Sequence, residues 1–291
     1  MCSSLLHYHV PAGVPDGVPD WVLATVPVLV PVPVPVRVPR DMTGSKIAGM
    51  KTPHPLATHT VYIDRERGLV TKTADPAHPN FAGFQMECDI HTACGTGTVS
   101  NAGRTLTTAY AGESWQFTPD LIDPIGHGLA RLQQKLETAT RAGVRIPTLG
   151  DFTTHRRVIN RCGGTEFCDD YFAALEEIAP ELDPAAFVPT HGDLSLGNFC
   201  TDDQGHTTVI DLEASVWAPA SYPWSGLLMN LWQNDHPHFS DLAARADLWD
   251  PACLKLLCAL SVSFCAHSLG LEQAKARRES FRSMRRAVGE A

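Results

Sequence analysis

The chain has 291 residues, of which 44% are hydrophobic, so it is long enough to bury a sizeable core in one or two lobes. Its formal net charge of -9 argues against a general nucleic-acid-binding protein, because phosphate contacts need lysine and arginine. The nine cysteines include no Cys-x-x-Cys pair, which argues against a disulfide scaffold or a zinc knuckle and favours reduced thiols in a cytoplasmic protein.

The amino-terminal segment alternates valine and proline, most clearly in VPDGVPDWVLATVPVLVPVPVPVRVPR at 14–40. Proline removes backbone donors and fixes φ, so this pattern favours a polyproline-like segment over a membrane-spanning helix or a regular strand. Proline also interrupts the apolar runs that a secretory signal needs. We therefore expect residues 1–43 to be a disordered tail, or to precede the true translation start, and we expect no association with a membrane.

Residues 44–112 predict a small β-rich lobe. THTVYID, ending at residue 64, and LVTKTA at 69–74 alternate in polarity around the turn RERG, which is typical of a hairpin. NFAGFQMECDIHTAC at 80–94 has helical spacing, and RTLTTAYAG at 104–112 predicts another strand.

Residues 113–291 predict a larger and mostly helical lobe. A short strand is expected within HTTVIDLEA at 206–214. Apolar spacing and stop signals predict helices at 126–143, 166–182, 224–233, 251–272 and 275–287.

The loop THGDLSLGNF at 190–199 places His191, Asp193 and Asn198 within eight positions. The carboxylate could accept a proton from an attacking hydroxyl group, and the amide oxygen could bind a hard cation. Asp211 follows an apolar strand and could supply a second oxygen ligand. The spacing H-x-D-x-x-x-x-N with a later strand-borne aspartate is that of the protein-kinase catalytic loop.

Phosphoryl transfer also needs a lysine that holds the nucleotide phosphates and a carboxylate that orients it. We assign the lysine to Lys72, which lies on what we expect to be the third strand of the small lobe. We assign the carboxylate to Glu87 on the following helix.

HGDLSLGN and VIDLE together resemble the aminoglycoside phosphotransferase and choline kinase superfamily, over about residues 58–235. The resemblance implies an α+β, bilobal protein-kinase-like fold, with a small antiparallel β-sheet lobe that carries one helix and a larger, mostly helical lobe. It also implies ATP and Mg²⁺ as cofactors. The implied roles are Asp193 as catalytic base, His191 as support of its loop, Asn198 and Asp211 as magnesium ligands, Lys72 and Glu87 at the α- and β-phosphates, and Ala111, Gly112 and Glu113 as the adenine hinge.

The resemblance implies transfer of the γ-phosphate to a hydroxyl group of an antibiotic, aminoglycoside-like or nucleoside-like, by a monomer or weak dimer. A metabolic kinase for choline, fructosamine or a homoserine-like acceptor is the alternative. Trp217, Trp224 and Asp235 are candidate acceptor-pocket residues, with core packing as the other interpretation of the tryptophans.

Two further classes remain open at the level of sequence. A nucleotide-binding pseudokinase is favoured by the absence of a glycine-rich loop before residue 58. A metal-dependent phosphohydrolase would be built on His191, Asp193 and Asp211.

Overall fold

An antiparallel hairpin begins the part of the chain that the computed structural model describes, which comprises residues 59–77, 81–114, 117–149, 173–174, 176–177, 180, 182–202 and 204–289. The predictions for residues 1–58, and most of the predicted helix at 166–182, lie outside the described residues. Residues 173–174 and 176–177 of that predicted helix are helical.

We refer to the first sheet and its helix as the small lobe, and to the remaining described residues as the large lobe. The small lobe contains β1 (His59–Asp64), β2 (Leu69–Ala74), α1 (Phe81–Ala93), β3 (Gly97–Ser100) and β4 (Thr105–Ala109). Its sheet has the order β1-β2-β4-β3, with antiparallel neighbours throughout. The predicted hairpin, helix and later strand are present, and β3 was not predicted because four residues are too few to show a period.

Lys72 pairs with Val61 on one side and with Leu106 on the other, so it lies on an inner strand of the sheet. Within the described residues this is the second strand, whereas the sequence analysis assigned it to a third. Any strand before His59 would lie outside the described part of the chain.

The small-lobe helix α1 packs against both lobes. Phe84 and Cys88 are buried with Leu106 of the sheet, while Met86 and Ile90 join the core of the large lobe. Glu87 lies between these two groups and is 2% exposed. Packing on both sides therefore fixes the position of this carboxylate.

The large lobe has two small antiparallel sheets and five described helices. The elements are β5 (Glu113–Ser114), α2 (Ile122–Arg141), β6 (Val188–Thr190), β7 (Phe199–Thr201), β8 (Thr207–Val209), β9 (Val216–Ala218), α3 (Tyr222–Gln233), α4 (Phe239–Ala243), α5 (Pro251–Leu269) and α6 (Leu271–Ala287), with 3-10 turns at Pro119–Leu121, Pro184–Ala186 and Leu212–Ala214. The sheets have the orders β5-β7-β8 and β6-β9, and the helix α3 runs through the centre of the core.

Two helix boundaries differ from the predictions in ways that the local sequence explains. The helix predicted from residue 126 begins at Ile122 and includes Pro124, which is tolerated because the first-turn N–H groups have no partner within a helix. The helix predicted over 251–272 ends at Leu269, where Gly270 at φ 96° separates it from α6.

Within the described residues, no helix is long and apolar enough to cross a membrane.

Candidate active site

His191 holds the loop that follows β6 against the segment that follows β8. Its ring is fully buried, and Nε2 lies 3.0 Å from the carbonyl oxygen of Ile210 and 2.8 Å from that of Asp211. The amide N–H of Asp193 donates to Nδ1 at 3.2 Å. This arrangement needs one protonated and one unprotonated ring nitrogen, and burial lowers the pKa of His191 in agreement with a neutral ring. His191 therefore positions the loop through backbone groups.

The Asp193 carboxylate has no hydrogen-bond partner among the described residues. Burial, and then the negative charges of Asp211 and Glu213, raise the pKa of Asp193 to about 7. The Nδ2 group of Asn198 donates to the backbone carbonyl of Asp193 at 2.7 Å, which closes the loop. A carboxylate with a pKa near neutrality and free oxygens is suited to accept a proton.

Lys72 joins the two lobes through three hydrogen bonds. Its Nζ donates to both carboxylate oxygens of Glu87 at 2.9 Å and to Oδ1 of Asp211 at 2.8 Å. Burial opposes the charged ammonium group, but Asp211 and Glu87 outweigh it and raise the pKa of Lys72 above its usual range. Glu87 also accepts the backbone N–H of Leu212 at 3.1 Å, so α1 is tied directly to the segment that carries Asp211.

Asp211 lies just beyond β8 in the left-handed region, at φ 66° and ψ 67°. Aspartate adopts this region more readily than most residues other than glycine. Burial opposes its ionised form, but Lys72 and His59 hold the pKa of Asp211 below its usual range. The position at a strand end, predicted from the sequence, is observed.

Asn198 and Asp211 have the chemistry of a magnesium site. The Nδ2 group of Asn198 is used by the loop, which leaves Oδ1 as its ligand atom, and Asp211 contributes a carboxylate that is ionised. Two hard oxygen donors suit Mg²⁺, which prefers few protein ligands and retains waters or phosphate oxygens. The residues present therefore fit this cation.

The predicted hinge connects the two lobes where β5 pairs with β7. Glu113 pairs with Thr201, and Gly112 adopts φ 110° immediately before it. A Cβ at Gly112 would overlap the carbonyl oxygen of Thr201 and lie 2.8 Å from its carbonyl carbon. Only glycine fits this close approach, and Ala111 precedes it in the described chain.

Two side chains beside these residues were not assigned from the sequence. Nδ1 of His59 lies 2.9 Å from Oε1 of Glu213, and both side chains are largely buried. The sequence could have identified Glu213 as a candidate, since it lies two residues after Asp211. No local pattern identifies His59, because only the folding of the small-lobe sheet brings the start of β1 close to Asp211 and Glu213.

A family model described as the phosphotransferase enzyme family matches residues 101–257, which is more than half of the chain. The chain belongs to this phosphotransferase family. The match includes the loop with Asp193 and the segment with Asp211, and it confirms the resemblance and the class of enzyme expected from the sequence. No protein of curated function matches the sequence of this phosphotransferase.

Solved structures of kinases share its fold. The amicoumacin kinase hAmiN, in complex with AMP-PNP, Ca²⁺ and Ami, is 13% identical with a TM-score of 0.53, over 78% of this chain and 85% of that one. Choline kinase LicA from Streptococcus pneumoniae is 10% identical with a TM-score of 0.51, over 78% and 90%. A choline/ethanolamine kinase family protein from Mesorhizobium loti is 14% identical with a TM-score of 0.51, over 84% and 90%. The expected α+β, protein-kinase-like fold of the phosphotransferase is thereby confirmed.

The candidate acceptor residues are placed less favourably than the loop residues. Trp224 is 6% exposed in the core of the large lobe, so the packing interpretation holds for it and it is not available as a pocket wall. Trp217 lies on β9, half-buried against the same core. Asp235 is exposed just after α3, at φ 48°. Of the three, Asp235 and Trp217 remain candidates in this phosphotransferase.

The close approach at Gly112 predicts a large effect of Gly112→Ala on stability. We expect this variant to lower the free energy of unfolding by about 1–3 kcal/mol more than Gly143→Ala, because the backbone of Thr201 must move. Gly143 is the matched control, since it also has a positive φ, 95°, but a Cβ there meets nothing within 4 Å. Urea denaturation of both variants measures the difference, and equal losses would contradict the steric argument.

Proposed function

We propose that this phosphotransferase transfers the γ-phosphate of ATP, with Mg²⁺, to a hydroxyl group of a small molecule. The observation that carries the proposal is the 2.8 Å contact between Lys72 Nζ and Asp211 Oδ1. It joins the residue suited to hold phosphates to the residue suited to hold the cation, next to the loop with Asp193.

The reaction assigns a separate task to each group. Lys72 would hold the nucleotide phosphates and Glu87 would keep its ammonium group in place. Asp193 would orient the acceptor hydroxyl group and accept its proton as the bond to phosphorus forms. Asn198 and Asp211 would hold magnesium, which neutralises charge on the phosphate oxygens. Ala111, Gly112 and Glu113 would present backbone groups to adenine.

For the acceptor we propose an antibiotic, aminoglycoside-like or nucleoside-like, whose phosphorylation confers resistance. The net charge of -9 supports a cationic acceptor. The fold that the chain shares with the amicoumacin kinase is consistent with this choice, and the fold shared with choline kinase LicA supports a metabolic acceptor such as choline as the second candidate. A cytoplasmic location and a monomer or weak dimer stay predictions.

The phosphohydrolase alternative meets a specific obstacle. It required His191 as a metal ligand, but both ring nitrogens of His191 are occupied by backbone groups. The pseudokinase alternative differs from our proposal only in turnover.

The deciding experiment incubates the protein with ATP, Mg²⁺ and a panel of hydroxylated antibiotics and metabolites. We expect a new phosphate monoester in the phosphorus NMR spectrum, formed one for one with ADP. Free phosphate without an ester across the whole panel would contradict the proposal, and nucleotide binding without any turnover would establish a pseudokinase.

Lys72→Met should reduce ATP affinity strongly and leave acceptor binding largely unchanged, because the lysine lies with the nucleotide residues. It should also destabilise the protein by about 3–5 kcal/mol, since Glu87 loses its buried partner. Lys275→Met is the control, because Lys275 is 54% exposed and forms an ion pair with an exposed partner, Glu272. Calorimetric titration with ATP, on samples shown to be folded by circular dichroism, makes the comparison. An unchanged ATP affinity would place Lys72 outside the nucleotide site.

The pKa of Asp193 predicts a pH dependence. A base acts when it is ionised, so turnover should fall as the pH drops through the pKa of Asp193, which is about 7 without a cation. A cation held by Asp211 would offset the negative charge that raises this pKa, so the acidic limb should move to lower pH as the magnesium concentration rises. Profiles of kcat/KM against pH at two magnesium concentrations test this, and a limb that does not move would argue against the assignment.

A further inference from the structure

The helix α3 packs against the loop that follows β6. At Gly226 the two backbones are close, since a Cβ there would lie 3.7 Å from the carbonyl oxygen of Leu194. Asn230 lies four residues further along α3 and therefore on the same face of the helix. Its Oδ1 accepts the backbone N–H of Leu196 at 3.1 Å. A side chain of the large-lobe core thus forms a hydrogen bond with the backbone of the loop.

Asn230 is a polar side chain in an apolar part of α3. It is 4% exposed, and its neighbours Leu227, Leu228, Met229 and Leu231 are all buried. Asparagine is a weaker helix former than leucine, and a buried amide costs free energy unless it forms hydrogen bonds. The Nδ2 group of Asn230 donates to none of the described residues. The contact between its Oδ1 and the loop therefore accounts for an amide at this position.

The hydrogen bond from Asn230 holds a turn in the middle of the loop. Leu196 occupies the second position of this turn, which is closed by the N–H of Asn198 on the carbonyl oxygen of Ser195 at 3.0 Å. The closing bond of a turn does not use the N–H of its second residue, so that group is available to α3. The same turn brings Nδ2 of Asn198 to the carbonyl oxygen of Asp193 at 2.7 Å. Asn230 therefore acts, through the backbone, on the relative placement of the proposed base and a proposed magnesium ligand.

We propose that Asn230 is a positioning residue of this phosphotransferase, which holds the turn at Leu196 so that Asp193 and Asn198 stay aligned for phosphoryl transfer. Its effect on turnover rests on the proposed function, whereas the contact itself can be tested on the protein alone. A misplacement of reacting groups by about 1 Å can cost about 10²-fold in rate. Loss of the hydrogen bond should therefore lower kcat and raise the magnesium requirement more than it changes the KM for the acceptor.

Three substitutions on α3 test the assignment. Asn230→Leu is similar in shape but lacks the acceptor, so kcat should fall by about 10–100-fold and the half-maximal rate should need more magnesium. Asn230→Asp keeps an oxygen acceptor and loses only the Nδ2 group, so it should restore most of the activity. Ser225→Ala is the matched control, because Ser225 is also fully buried on α3 but forms its hydrogen bonds with the backbone of Ser221 and Asp250.

Hydrogen exchange of the Leu196 amide, measured by NMR on the nucleotide-free protein, tests the contact without turnover. We expect slow exchange in the wild-type protein, Asn230→Asp and Ser225→Ala, and exchange at least about tenfold faster in Asn230→Leu. If the wild-type protein phosphorylates no acceptor, the proposed function fails. The exchange rate and the magnesium dependence of ATP binding then still decide the role of Asn230.

A second pair of variants keeps the test informative where Asn230→Leu does not fold. Proline is favoured at the second position of a turn and has no N–H, so Leu196→Pro removes the donor of the same hydrogen bond. Leu196→Ala is its control, since it also loses the leucine side chain but keeps the N–H. We expect the larger loss of kcat and the higher magnesium requirement in Leu196→Pro.

Three results would overturn the proposal. The first is a wild-type kcat and magnesium requirement in Asn230→Leu, together with unchanged exchange of the Leu196 amide. The second is a defect in Asn230→Asp or Ser225→Ala as large as that in Asn230→Leu. The third is an equal defect in Leu196→Pro and Leu196→Ala.

Discussion

Asp193→Asn should slow phosphoryl transfer by about 10²–10⁴-fold, the range typical of a lost general base. The amide is nearly isosteric with the carboxylate, and the Asp193 side chain has no hydrogen-bond partner among the described residues. The loop should therefore keep its shape, since it is held by the backbone N–H of Asp193 on His191 and by the Asn198 amide. We expect the binding of ATP, magnesium and acceptor to be retained.

Single-turnover measurements with quantified product separate this chemical defect from a binding defect. Asp123→Asn is the control, because Asp123 is an exposed carboxylate at the start of α2. Full turnover by Asp193→Asn would remove the residue on which the proposed mechanism depends.

Asp211→Ala should abolish magnesium-dependent turnover, with a loss of at least about 10³-fold, because several kcal/mol of charge stabilisation depend on the cation. Asn198 alone is a neutral and weak ligand for a doubly charged ion. Asp211→Asn should lose turnover similarly, since it also lacks the negative charge.

The two variants should differ in stability. Asparagine adopts the left-handed conformation at φ 66° with little strain, whereas alanine does not. We therefore expect a lower unfolding midpoint for Asp211→Ala than for Asp211→Asn, with turnover lost in both. Wild-type rates in either variant at ordinary magnesium concentrations would show that Asp211 does not hold the cation.

The sequence predicted the parts of this fold that have a local signal. The hairpin of β1 and β2 has strand-forming residues on both sides of the turn RERG, and α1 repeats its apolar residues at helical spacing, so Lys72 and Glu87 could be placed on their elements. The candidate loop with His191, Asp193 and Asn198 could be found from its spacing and its resemblance to a known family, because its residues lie within a short segment.

The remainder depends on contacts between distant segments. The strands β6, β7 and β9 have three residues each, which is too short for a period. The helical spacing around Trp224 fits both a pocket residue and a core residue. Only the observed packing of α3 distinguishes these two interpretations. His59 reaches Glu213 across more than 150 residues, so no local pattern could have identified it.

The ammonium group of Lys72 has three N–H donors, and Glu87 and Asp211 use all of them. A phosphate oxygen can reach this group only by competing with a carboxylate, and Asp211 is the partner that a cation would draw away. In the proposed mechanism, binding of the cation would therefore free a donor for the nucleotide, and by thermodynamic reciprocity the nucleotide would raise the affinity for the cation. The two ligands should bind with positive cooperativity, and the site should discriminate against metal-free nucleotide before any chemical step takes place.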